Sequence, residues 1–268
     1  FLIKFTTEGF DKVEKSLDAL NKGMDKLNDS FDKGNSKGES FFGALLKWDI
    51  VVGTITKSFR ALKDEITDVF VDAYVQFYDG ISIIRCYQMI RNEGKETQTV
   101  EYISSFNYTG IEKEGILPRD EKMTVSIPHH SWQRELNWKK YTLAELGLEQ
   151  IQPKKIQRSS NLIKVSNVGN WSAKEHLPMG YLENSEKNSS IFWQIEHNGS
   201  WHWEIGDQNG HLYLALSGPN EIYSHWSKDL KPGDRFESIP VAVGVTGQGF
   251  DAAMGELTRY RRRIRRKN

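Results

Sequence analysis

One cysteine stands in 268 residues, Cys86, so the chain can close no internal disulfide and build no cysteine-rich zinc site. Proline is scarce too, with seven in all and none before Pro118. No apolar run approaches the roughly 20 residues that a membrane helix needs, and the longest candidate, Trp48-Asp-Ile-Val-Val-Gly53, is short and carries a charge. Nor is there an excess of either charge, because 36 basic residues balance 36 acidic ones. That balance argues against a simple nucleic-acid binder and against a polybasic membrane protein. Phe1 opens the chain without a signal-peptide pattern, which reads as a cytoplasmic fragment. What remains, 38% hydrophobic and 27% charged, is the composition of a globular protein rather than a disordered one.

The scarce residues are unevenly placed. Residues 1–76 hold no proline, no histidine and a single tryptophan, Trp48. All seven histidines lie between His129 and His225, and the other seven tryptophans between Trp132 and Trp226. The zero net charge is likewise a sum of unlike parts: residues 1–76 carry 11 basic and 13 acidic groups, the remainder 25 and 23. The sequence therefore divides into a helical or coiled-coil segment over 1–70, a β-sandwich over 71–250 and a basic helix over 251–268.

In the first segment Phe10, Val13, Leu17, Leu20, Met24, Leu27 and Phe31 recur at alternating spacings of three and four, the seam of a coiled coil. Asp32 to Gly38 breaks the pattern, and a second run follows through Leu45, Trp48, Val52, Ile55, Phe59 and Leu62. A helical hairpin, or self-association through the Val13–Leu27 seam, follows from this spacing. The stretch "IKFTTEGFDKVEKSLDALNKGMDKLNDSFDKGNSKGESFFGALLKW" resembles the helical N-terminal part of phage tail tape measure proteins, which implies a scaffold role.

From Val71 onward the period changes to two. Val71, Ala73, Val75 and Phe77 alternate in one strand, Ile81 to Gln88 form another, and Thr99 to Phe106 a third. Ile191–His197 and Trp201–Ile205 flank Asn198-Gly199, which predicts a tight hairpin with both turn residues at positive φ. His211–Leu216 would extend it to a three-stranded meander. Many short strands punctuated by turns predict a mainly antiparallel β-sandwich, whose open edges are a second route to self-association. The end of the chain returns to helical spacing through Leu257, Tyr260 and Ile264, with seven basic residues in the nine from Arg259 to Lys267. We read these as pairing with acidic neighbours and the helix dipole rather than with nucleic acid.

Motifs for chemistry are few. There is no Gly-x-Ser-x-Gly and no phosphate-cradling glycine loop, and the histidine spacings match no metal site, so no cofactor, metal or catalytic residue is assigned. On the strand predicted at 201–205, Trp201 and Trp203 share one face and His202 and Glu204 the other. Exposed, the two indoles would stack on sugar rings, as in a carbohydrate-binding module; buried, they belong to the sandwich core.

Long ordered stretches are similar to family-36 glycoside hydrolases, the α-galactosidases. They are "DGISIIRCYQMIRNEGKETQTVEYISSFNYTGI", "IPHHSWQRELNWKKYTLAELGL", "FWQIEHNGSWHWEIGDQNGHLYLALSGPNE", "HWSKDLKPGDRFESIPVAVG" and "AAMGELTRYRRRIRRKN". The resemblance runs from about Val71 to Asn268. It implies a β-sandwich preceding a (β/α)8 barrel that holds both catalytic carboxylates, and an α-galactoside as the carbohydrate partner. No residue here matches a catalytic position of that barrel. The expectation is a non-catalytic sandwich, truncated before the barrel.

Overall fold

The computed structural model describes residues 2–6, 69–148, 161–208 and 210–265. Two antiparallel sheets face each other. The larger, nine-stranded sheet runs β1 (Leu2–Thr6), β2 (Val69–Phe77), β3 (Ile83–Asn92), β15 (Val241–Thr246), β10 (Ser189–Ile195), β9 (Met179–Asn184), β6 (Met123–His129), β7 (Asn137–Thr142). Its ninth strand, β14 (Arg235–Glu237), follows the line of β15 along β3, with Phe236 opposite Ile90 and Val241 opposite Cys86. The smaller sheet is β5 (Ser104–Thr109), β12 (His211–Ser217), β11 (Trp201–Gln208), β8 (Leu162–Asn167). A short ribbon pairs β4 (Gln98–Val100) with β13 (Lys228–Leu230). Three helices complete the described chain: α1 (Arg119–Lys122), α2 (Glu221–Ser224) and α3 (Phe250–Ile264).

Period-two alternation decides which side chains meet. On β10, Trp193 points between the sheets and its neighbour Phe192 points outward, and both are fully buried. The inter-sheet core gathers Val125, Leu182, Trp193, Ile195 and Val243 from the larger sheet and Val165, Trp203, Ile205, Leu214 and Leu216 from the smaller. On the far side of the larger sheet, Phe192, Tyr181, Ile83 and Ala242 are covered by Ala253, Leu257 and Tyr260 of α3. The spacing of Leu257, Tyr260 and Ile264 thus marks a real amphipathic helix, and it is the outer layer of the sandwich. No helix among the described residues is long and apolar enough to cross a membrane.

The antiparallel sandwich is the predicted architecture, but several local expectations change. Leu2–Thr6, assigned to the helical segment, forms β1 and pairs with Asp72–Gln76 of β2; the heptad run that follows lies outside the described residues. The strand expected over Thr99–Phe106 is two, β4 and β5, belonging to different sheets. Asn198-Gly199 is no hairpin turn. Strand β10 pairs with β9 and β15, whereas β11 pairs with β8 and β12, so the five residues between them cross from one sheet to the other. Neither Asn198 nor Gly199 adopts positive φ. The reason lies in the flanking tryptophans: Trp193 and Trp203 meet from opposite walls of one core, which a flat hairpin would forbid. The second turn, through Asp207 and Gly210, is a hairpin as expected, with Gly210 at φ 82° and its amide donating to Asp207 Oδ1 at 2.7 Å.

Two glycines make room for the paired aromatics of β10. Gly180 lies directly opposite Trp193, and Gly244 opposite Phe192. A Cβ on Gly180 would stand 2.2 Å from Trp193 Cζ2, and one on Gly244 2.3 Å from Phe192 Cζ and 2.7 Å from the Ser82 carbonyl oxygen. Gly180→Ala and Gly244→Ala should each lower stability by about 1–3 kcal/mol through overpacking, read as a shift in urea midpoint. Gly255, inside α3 with nothing within 4 Å of its would-be Cβ, is the counterpart. There alanine should add roughly 0.4–1 kcal/mol; a loss at Gly255, or neutrality at the other two, would contradict this packing.

Candidate functional site

Strand β11 sorts its side chains cleanly. Trp201, Trp203 and Ile205 face the core, with 1%, 0% and 0% of their surface exposed. Trp203 meets Trp193 edge-on, ring centroids 5.1 Å apart and planes at 75°, and Trp201 Nε1 donates to the Ser172 carbonyl at 2.7 Å. Both indoles are therefore core residues, and neither presents a ring face to a sugar. Of the two arrangements open from the sequence, burial is the one found.

The other face of β11 carries a connected polar network. Sheet pairing sets Ser166 of β8 opposite His202, and Lys164 opposite Glu204. The Ser166 hydroxyl and His202 Nδ1 lie 2.6 Å apart, and His202 Nε2 and Glu204 Oε2 2.9 Å apart. Tyr213 on β12 donates its hydroxyl to Glu204 Oε1 at 2.7 Å. It reaches there across Gly206, where a Cβ would stand 2.6 Å from Tyr213 Cε1. Tyr223 of α2 stacks on the imidazole with centroids 4.1 Å apart and planes at 18°, leaving His202 2% exposed. Asn220 holds that short helix in place, its side chain accepting from the Tyr223 amide at 2.8 Å.

These contacts fix the electrostatics. The hydrogen bond from His202, aided by Tyr213 and Lys164, holds the Glu204 carboxyl below the usual carboxylate range against the opposing effect of burial. Burial and the same carboxylate raise the Tyr213 phenol, and burial with Glu204 pushes Tyr102 up to about 12. Both imidazole nitrogens of His202 are thus engaged, Nδ1 by the Ser166 hydroxyl and Nε2 by the Glu204 carboxylate. The order serine, histidine, carboxylate is that of an acyl-transfer relay, but here it lies across neighbouring strands beneath a stacked tyrosine. The arrangement works as a lock that pins α2 to the sheet.

Glu204 and Asp207, the nearest acidic pair on this strand, point to opposite faces. The Asp207 side chain is 1% exposed and pairs with the buried Arg119 at 2.7 Å. Retaining glycoside hydrolysis needs two carboxylates about 5 Å apart around one anomeric carbon, which these two cannot supply. No group of three or more histidine, cysteine, aspartate or glutamate side chains among the described residues is arranged to hold a metal ion. On α3, Arg259 pairs with Glu256 at 2.6 Å and Arg261 donates to Gln194 Oε1 at 2.7 Å, while Arg262, Arg263 and Arg265 are exposed. Sequence reasoning placed His202 and Glu204 on one face but missed Ser166, Tyr213 and Tyr223, whose proximity depends on sheet register and on α2.

The fold is thus a two-sheet antiparallel sandwich with a helix packed on the larger sheet, and that architecture recurs in α-galactosidases. The α-galactosidase of Lactobacillus brevis matches at a TM-score of 0.58 and 13% identity over 74% of this chain and 24% of its own. The galactosidase domain of an α-galactosidase–sucrose kinase matches at 0.57 and 17%, over 72% and 24%. A family-36 α-galactosidase of Geobacillus stearothermophilus matches at 0.52 and 15%, over 68% and 22%, and variants of it are known in complex with raffinose and with stachyose. The chain spans about a quarter of the length of these proteins. Neither a protein-family profile nor a curated protein sequence matches it.

Because its folded pKa is lowered, Glu204 contributes stability fully above its unfolded value of about 4.3 and loses it as pH falls through the lower folded value. Glu204→Gln keeps the shape but replaces one of the two accepting oxygens, toward His202 or toward Tyr213, with an amide donor. It should cost about 1–3 kcal/mol at pH 7 and flatten the acid limb of a stability–pH curve. An unchanged acid limb would show that this carboxylate is not held by the network.

Proposed function

We propose that the chain is the non-catalytic β-sandwich portion of an α-galactosidase-like glycoside hydrolase. The observation that carries this reading is the shared fold with three α-galactosidases over 68–74% of the chain. The carboxylates support it: those of Glu145, Glu186 and Glu204 are all lowered, whereas a general acid in glycoside cleavage needs a raised one. The sandwich then acts as a support. It presents the arginine-bearing end of α3 to an acidic surface of a catalytic unit and leaves bond cleavage to that unit. An α-galactoside is the carbohydrate in this reading, and self-association would run through the heptad seam of Val13, Leu17, Leu20, Met24 and Leu27 or through the sheet edges.

The test is hydrolysis of a chromogenic α-galactoside by this chain alone. Release of the chromophore should not exceed that of buffer across pH 4–8; turnover at a typical enzymatic rate of about 1 s⁻¹ or more would overturn the reading.

A further inference from the structure

The fold buries Trp193, Trp201 and Trp203 completely yet leaves two other indoles in water: Trp132 is 81% exposed and Trp171 56%. Both sit on connections at one end of the sandwich, Trp132 between β6 and β7, Trp171 between β8 and β9. Those connections are stitched together. The His130 amide donates to the Glu175 carbonyl at 2.8 Å, the Leu177 amide to the Pro128 carbonyl at 3.1 Å, and His129 and His176 form a β-bridge.

Each connection is also held from within. Ser131 and Arg134 exchange backbone hydrogen bonds at 2.9 and 3.3 Å around Trp132. In the other, the Gly169 amide donates to Ser200 Oγ at 2.9 Å and the Ser172 carbonyl accepts from the core indole of Trp201. Gln133 and Leu136 both adopt left-handed backbone, at φ 61° and 55°, though neither is glycine. Such conformations carry a cost and persist where surrounding structure imposes them, above all at binding loops. These positions lie beside Trp132 in the loop that carries its indole in the open.

We infer that Trp132 and Trp171 form a carbohydrate platform, each taking the apolar face of a pyranose ring. An indole face is electron-rich and receives the axial C–H groups that a pyranose presents. Sugar hydroxyls need donors and acceptors at the ring's edge, and Gln133, Arg134, Glu135, Lys174 and Glu175 flank the two indoles in sequence with exposed side chains of both charges. That mixture favours a sugar over a protein partner, because the core of a protein interface is depleted in charged residues. The choice of an α-galactoside rests on the functional reading above; the platform itself rests on the exposed indoles and their braced loops.

Fluorine NMR of the full chain labelled with 5-fluorotryptophan resolves its eight indoles, with Trp132→Phe and Trp171→Phe to assign the two signals. Titration with raffinose and stachyose should move those two saturably and leave the buried ones still. Trp132→Ala and Trp171→Ala should each weaken binding about tenfold with an unchanged melting temperature, as both side chains are exposed. Sucrose, which lacks the galactosyl unit, should bind more weakly; equal affinity would overturn the α-galactoside assignment. Silence of both signals at saturating raffinose, or an affinity that is unchanged in both alanine variants, would overturn the platform. So would a concentration-dependent dimer that Trp132→Ala abolishes, which would make this face a protein interface. The proposed function is judged separately: turnover of the chromogenic substrate would remove it and leave the platform standing, whereas absent binding without turnover would remove the platform alone.

Discussion

The edge-on contact between Trp193 and Trp203 is the junction on which the two sheets depend. Each indole stands near the middle of a central strand of its own sheet, so the contact fixes the separation of the sheets at the centre of the core. Its consequences spread along both strands. Trp193 demands a glycine opposite it, and Gly180 supplies one; the alternation of β10 then sends Phe192 outward, where Gly244 clears the space and α3 closes over it. A single strand thus links the inter-sheet core to the helical layer.

The same alternation explains why β11 serves as wall and as lock. With Trp201, Trp203 and Ile205 inward, His202 and Glu204 must face away from the core. An unpartnered imidazole and carboxylate there would be costly once α2 covers them. The sheet resolves this by register, bringing a hydroxyl from each neighbouring strand, Ser166 on one side and Tyr213 on the other. The short N-capped helix α2 then lays Tyr223 on the imidazole.

Much of the architecture was legible because period-two patterns and turn residues are local properties. Strands β2, β3, β10, β11 and β12 and the helix α3 could be read directly, as could the turn between β11 and β12. The Asn198-Gly199 turn misled because a dipeptide reports what the backbone can do, not which sheet its strands join. That choice was made by Trp193 and Trp203, ten residues apart in sequence and in contact only in three dimensions. For the same reason the Trp201–Trp203 pair had two readings from sequence, since alternation gives a shared face but not its exposure. Ser166 and Tyr213 were invisible as members of the network because their place depends on the register of three strands. Trp132 and Trp171 carry no distinguishing local pattern either; what sets them apart is their exposure beside the buried Trp193, Trp201 and Trp203.

The strong charges of this fold are used in holding it together. Glu196 binds Arg85 at 2.9 Å and accepts from the Tyr260 hydroxyl, joining the sheet to α3. Asp207 binds Arg119, Asp72 binds Arg91 at 3.2 Å, and Glu204 binds His202 and Tyr213. A catalytic acid must keep its proton at working pH and release it in the transition state, which requires desolvation without a compensating donor. Glu204 is partly desolvated, but the hydrogen bonds from His202 and Tyr213 hold its carboxyl below the usual carboxylate range. A carboxylate held in this way gains fold stability from its charge and is poorly suited to give up a proton as a general acid. By contrast Trp132 and Trp171 contribute little burial, and the loop that carries Trp132 holds two non-glycine residues in left-handed backbone. Beside the buried Trp193, Trp201 and Trp203, these are indoles that the described fold leaves open to a ligand.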